Sequence, residues 1–170
     1  MTRRMSLLRS LCLNTLLALL VAAALPSAAQ AGGPFQYHSL TPCRLVDTRN
    51  GSGASTSDDG PVGARTNPGP YDIIVKGFCG VPTDAAAVTL NITVVSPTQQ
   101  GDLRIANLDA SPFPVVSTLN YLAGEPALAN GAIVPLKAGA GADLRMVFGM
   151  VSSGSLHILV DVTGYFTPTT

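Results

Sequence analysis

The sequence has no tryptophan, three cysteines, 5% aromatic residues and only 12% charged residues. Each shortage excludes something. Without tryptophan the chain lacks the broadest flat face on which sugar rings stack, which counts against carbohydrate recognition as a first reading. The scarcity of charge rules out a disordered polyelectrolyte and a charged coiled coil. A formal net charge of zero and a pI near 6.7 leave no basic footprint for nucleic acid. There is no G-x-S-x-G elbow to present a nucleophilic serine. Neither His38 nor His157 stands in a ligand-like cluster, so the sequence calls for no metal and no cofactor. Beyond residue 31 no apolar run approaches the roughly 20 residues that a membrane span needs.

The N-terminus is informative. Arg3, Arg4 and Arg9 precede an apolar run from Leu11 to Leu25, followed by Pro26 and a small-residue stretch ending Ala29-Gln30-Ala31. That three-part layout predicts a secretory signal peptide over residues 1–31, cleaved after Ala31, with Cys12 discarded in it. Thr2-Arg3-Arg4 hints at twin-arginine export, but Ser6 stands where a large apolar residue is usual, so the route stays open. Cleavage removes three of the ten basic residues and none of the ten acidic ones, so seven against ten leaves −3. The expected product is a secreted, slightly acidic domain over residues 32–170 with no membrane span of its own.

Within that domain the dominant period is two. Val88, Leu90, Ile92 and Val94 alternate with Thr89, Asn91 and Thr93. Leu156, Ile158, Val160 and Val162 do the same near the end, and Leu144, Met146 and Phe148 flank Arg145. Shorter runs predict strands over Cys43 to Thr48, Tyr71 to Lys76, Leu103 to Asn107, Val115 to Tyr121 and Ala132 to Leu136, with Pro135 demoting the last to an edge or a bulge. Turn-formers separate them, as in Ser96-Pro97, Pro112-Phe113-Pro114 and Gly139-Ala140-Gly141. No window sustains a helical period; Pro126 to Asn130 allows one helical turn at most. This is an all-β pattern, read as an antiparallel β-sandwich with jelly-roll and Ig-like topologies both open. A long Gly-, Ser-, Asp- and Pro-rich loop spans residues 50–70.

Cys43 and Cys79 both remain after cleavage in a chain bound for an oxidising compartment, which predicts one disulfide. Closing a loop of that length stabilises by about 3 to 4 kcal/mol in the chain-entropy account. Charge is densest at Arg44, Asp47 and Arg49. On an extended strand Asp47 and Arg49 share a face while Arg44 opposes them, unless a bulge intervenes. Asp161 lies between two core valines, facing away from them, and is expected to bond a turn backbone or an arginine such as Arg44 or Arg49. These four residues form either a structural charge cluster or a contact for an acidic ligand, because a guanidinium fork matches carboxylate geometry. His157 and Asp161 on one face also raise the thought of a hydrolase, but no nucleophile context accompanies them, and His157 reads as a surface residue. Asp58-Asp59-Gly60 lacks the alternating spacing of a calcium loop.

One set of motifs is more specific. Phe35-Gln-Tyr-His-Ser-Leu-Thr-Pro-Cys-Arg-Leu-Val-Asp-Thr-Arg49 precedes Cys79-Gly-Val-Pro82 and Ala87-Val-Thr-Leu-Asn-Ile-Thr-Val-Val95. Ser117-Thr-Leu-Asn120, Val134-Pro-Leu136 and Val160-Asp-Val-Thr-Gly-Tyr-Phe166 follow. In that order they resemble a β-rich module that recurs in secreted and cell-surface proteins of bacteria, often in tandem; the chain holds one copy. The resemblance implies an extracellular module and assigns it no activity. The expectation is a non-catalytic binding or structural module at or near the bacterial surface, its partner a protein or a cell-surface polymer. The alternatives are a polysaccharide or cell-wall glycan-binding domain and, more remotely, a hydrolase.

Overall fold

The computed structural model describes residues 34–55 and 70–169. The segment read as a leader, most of the 50–70 loop and Asp58-Asp59-Gly60 lie outside the described residues. Eight strands follow one another: β1 (Phe35–Asp47), β2 (Tyr71–Ile73), β3 (Ala87–Val95), β4 (Gly101–Asn107), β5 (Leu119–Tyr121), β6 (Ala127–Pro135), β7 (Leu144–Met150) and β8 (His157–Pro168). They form two four-stranded sheets, in the orders β1-β8-β3-β6 and β2-β7-β4-β5. Every pairing is antiparallel, including β1 with β8, β2 with β7, β3 with β6 and β4 with β5. Those four pairs describe one long antiparallel ribbon rolled over on itself. The topology left open by the sequence is therefore the jelly roll of a β-sandwich.

Alternation decides which face is buried. Val88, Leu90, Ile92 and Val94 of β3 meet Ile158, Val160 and Val162 of β8 in one layer, and Leu103, Leu144, Met146 and Phe148 face them from the other. Each such side chain taken fully out of water contributes about 1.5–3 kcal/mol. Two departures from strict alternation matter. On β1 the register against β8 shifts between Arg44 and Val46, so Leu45 and Val46 are both buried. On β8 the register shifts around Thr163, whose Oγ1 lies 3.0 Å from Thr89 Oγ1. The Cys43–Cys79 disulfide joins β1 to the turn after β2, with Cα atoms 5.7 Å apart.

Three expected elements differ. Pro126 to Asn130 makes no helical turn; it enters β6, because pairing with Leu128 to Asn130 completes the β3 ladder. Only Leu119–Tyr121 of the Val115 to Tyr121 run is strand; Val115 and Val116 follow two prolines without N–H donors and are exposed. The Tyr71 to Lys76 run stops at Ile73, because the N–H groups of Val75 and Lys76 donate to the Asp143 carboxylate at 2.7 and 2.9 Å instead of to a strand. Among the described residues no helix is long and apolar enough to cross a membrane.

Candidate functional site

The bulge at Leu45 builds the charged cluster. With one extra residue turned inward, Arg44 and Asp47 come to the same face of β1, opposite Asp161 and Leu159 of β8. Arg44 donates from Nε to Asp161 Oδ1, from Nη2 to Asp161 Oδ2 at 3.2 Å, and from Nη1 to Asp47 Oδ2 at 2.7 Å. Arg49 closes on the other side of Asp47, donating from Nε to Oδ1 at 2.9 Å, from Nη2 to Oδ2 at 2.7 Å and from its backbone N–H to Oδ1 at 3.1 Å. The result is a chain Asp161–Arg44–Asp47–Arg49 of alternating sign. Asp47 is 3% exposed. Its hydrogen bond from the Arg49 side chain, reinforced by the Arg49 backbone and the two positive charges, holds its carboxyl down at about 2. The hydrogen bond to Asp161 pushes the Arg44 guanidinium above its ordinary value.

His157 is not the surface residue expected. It is half-buried, and its Nδ1 lies 2.9 Å from the Thr48 carbonyl oxygen, which only accepts, so Nδ1 carries the proton. Thr48, fully buried, receives the Ile158 N–H on its hydroxyl at 3.0 Å. His157 and Asp161 therefore have separate partners, one on Thr48 and the other on Arg44. Among the described residues no group of three His, Cys, Asp or Glu side chains converges in a way that would hold a metal ion.

A second ionic centre gave little warning in the sequence. Asp143 is 0% exposed; besides capping Val75 and Lys76, it lies 2.9 Å from Lys76 Nζ. That ammonium donates in turn to the carbonyls of Lys137 at 2.7 Å and Gly139 at 2.5 Å. The one available signal was an aspartate between a Gly-rich turn and an apolar strand. Its partner, 67 positions away, left none.

Two surface features complete the inventory. At one end of β1, Phe35 and Tyr37 are exposed, with Tyr37 5.1 Å from the Phe166 ring. A Cβ at Gly164 would sit 2.4 Å from the Tyr37 hydroxyl, so a side chain there would displace the exposed Tyr37 ring. At the opposite side of the sandwich an apolar groove of about 310 Å³ runs between β4, β6 and the loop that carries Pro114 and Thr118. Ile133 (66% exposed) lines it, and Val115 (85% exposed) and Val116 follow Pro114 on the same loop.

No known protein family matches this chain, and no curated protein does. Among solved structures, the Cyanophage Pam1 capsid asymmetric unit overlays with a TM-score of 0.35 at 13% identity, over 84% of this chain and 94% of that one. A likeness this distant carries no function across.

Proposed function

We propose that this chain is a non-catalytic binding or structural module that works outside the cell, at or near the bacterial surface, through a protein-facing surface. The observation that supports this most is that the charged side chains most suited to chemistry are closed on one another. Arg44, Asp47, Arg49 and Asp161 satisfy each other across β1 and β8, and His157 is held by Thr48. What the molecule offers a partner is apolar: the β4–β6 groove and the valines beside it. The signal-like N-terminus and the Cys43–Cys79 bridge support export to an oxidising compartment.

A second reading, binding of a surface polysaccharide, rests on the exposed rings of Phe35 and Tyr37 beside Phe166, which give a sugar a place to stack. Co-sedimentation of the purified chain with cell walls and insoluble polysaccharides separates the two. Under the leading proposal no single polysaccharide retains it saturably. Saturable retention by one polymer, abolished in Tyr37→Ala, would put the glycan reading first. Hydrolysis of any such polymer by the wild type, lost in Asp161→Asn without unfolding, would overturn both.

A further inference from the structure

The hydrogen-bonding direction of β6 is fixed at both of its ends. Leu136 donates to the Ala86 carbonyl at 2.8 Å and Ser96 to the Pro126 carbonyl at 3.4 Å, in the same register as the Ala87↔Pro135 to Val95↔Ala127 ladder. In an antiparallel pair, alternate residues point their N–H and C=O groups at the partner. The even-numbered residues of β6 therefore bond β3. The N–H groups of Ala127, Ala129, Gly131 and Ile133 point away from the sheet, and β6 is the edge of its sheet. Pro135 falls in this outward set, so its missing donor costs the β3 ladder nothing. None of these four N–H groups has a hydrogen-bond partner among the described residues.

Edges of this kind are ordinarily blunted by charge, brevity or a covering segment. β6 is nine residues long, Ala-Leu-Ala-Asn-Gly-Ala-Ile-Val-Pro, and carries no charge. Charge appears just outside it, and symmetrically: Glu125 lies six residues before Gly131 and Lys137 six residues after.

We propose that a second copy of this chain pairs with β6 antiparallel to it, about a two-fold axis through Gly131. In that register Ala129 of one copy faces Ile133 of the other, and the terminal pairs are Ala127 with Pro135, so the missing proline donor falls at the ends of the ladder. Glu125 of each copy meets Lys137 of the other, which gives two complementary ion pairs flanking an uncharged seam. A like-charged ending would have repelled. Within one chain the Glu125 carboxylate accepts the Leu122 N–H at 3.2 Å and the Lys137 ammonium lies 3.6 Å from Asp109 Oδ1, so the cross-copy pairs add to these contacts. The two four-stranded sheets would join into one continuous eight-stranded sheet with an isologous interface. This goes beyond the surface role proposed above and does not depend on what the groove or the aromatic shelf binds.

Sedimentation equilibrium of the purified chain, with each variant's fold checked by its thermal melt, tests the pairing. The expected result is a concentration-dependent monomer–dimer equilibrium, weakened about tenfold by Glu125→Lys or by Lys137→Glu alone and restored by the double swap. Ala129→Pro, which removes one outward donor, abolishes it. Hydrogen exchange at Ala127, Ala129, Gly131 and Ile133 slows as concentration rises. A chain that stays monomeric up to its solubility limit overturns the proposal, as does a dimer indifferent to both Glu125→Lys and Ala129→Pro. Protection of those amides at every concentration also overturns it, because a segment of the same chain would then cover the edge. Wall retention by a strict monomer would sink the pairing and leave the wall experiment's own conclusion standing.

Discussion

The two long sides of the sandwich are built on opposite principles. On the β1–β2 side almost every device available to a small β protein is in use. A disulfide ties β1 to the turn after β2, the ion chain ties β1 to β8, and residues 52–55 fold back to cover the edge, with Ala54 and Ser55 donating to the carbonyls of Arg44 and Leu45 at 3.0 Å. Gly53 makes that close approach possible: it sits at φ 154°, and a Cβ there would be 2.4 Å from the Leu45 carbonyl oxygen. On the β5–β6 side there is no bridge, β6 carries no charge, and the exposed side chains include Val115, Val116 and Ile133. A side closed by covalent and ionic bonds is occupied with holding the fold. The other side leaves the outward N–H groups of β6 without a hydrogen-bond partner among the described residues and its apolar surface exposed.

Four substitutions test this contrast, and chemical denaturation reads them all. The largest loss is expected for Asp143→Ala, which leaves Lys76 charged and largely buried and two backbone donors unmet; breaking such a pair costs about 3–5 kcal/mol. A loss under about 1 kcal/mol would show that this centre is not structural. Next comes the Cys43→Ser/Cys79→Ser double variant. With 36 positions between the cysteines, it should lose about 3 to 4 kcal/mol, mainly through freedom returned to the unfolded chain.

Asp47→Asn should cost about 2 kcal/mol, as expected when hydrogen bonds to a charged group are weakened. It also carries a pH signature. The Asp47 carboxyl is lowered from 3.8 to about 2 in the folded protein, so its contribution is fully present above pH 3.8 and is lost as pH falls towards 2. The acid branch of the stability curve should therefore be shallower in Asp47→Asn than in the wild type; an unchanged branch would deny the ion chain its stabilising role. The smallest effect belongs to the open side. The Tyr121 hydroxyl on β5 is buried without a hydrogen-bond partner, and burial, followed by the charge of Asp102, pushes it up to about 12. Tyr121→Phe removes an unmet polar group and should leave stability unchanged or raise it by up to about 1 kcal/mol.

How far the sequence reached varies with the kind of feature. Strands buried on one face announce themselves by alternation, and β3, β7 and β8 were legible because Val88 to Val94, Leu144 to Phe148 and Ile158 to Val162 each carry the period. The disulfide was legible because two cysteines in a chain read as exported have few other fates. The four charged residues could be singled out by their density. An arginine partner for Asp161 was among the expectations, but that it is Arg44, and that Arg44 also reaches Asp47, depends on the bulge at Leu45, and a bulge leaves only the faint mark of two adjacent apolar residues, Leu45 and Val46. β6 was misread in its first half because Pro126 and the alanines that follow are locally compatible with a helical turn, and only the β3 ladder settles them as strand.

An all-β sandwich with a Cys43–Cys79 bridge and a charged stretch beside it follow from the order of the amino acids alone, since periodicity, cysteine count and charge density are local properties of a chain. The jelly-roll order, the choice of Arg44 as the partner of Asp161, the burial of Asp143 against Lys76 and the outward turn of the Ala127, Ala129, Gly131 and Ile133 amides emerge in three dimensions. Each of these depends on residues far apart in sequence meeting in a particular register, and register is set by how two faces pack and where a strand bulges, which no single segment encodes.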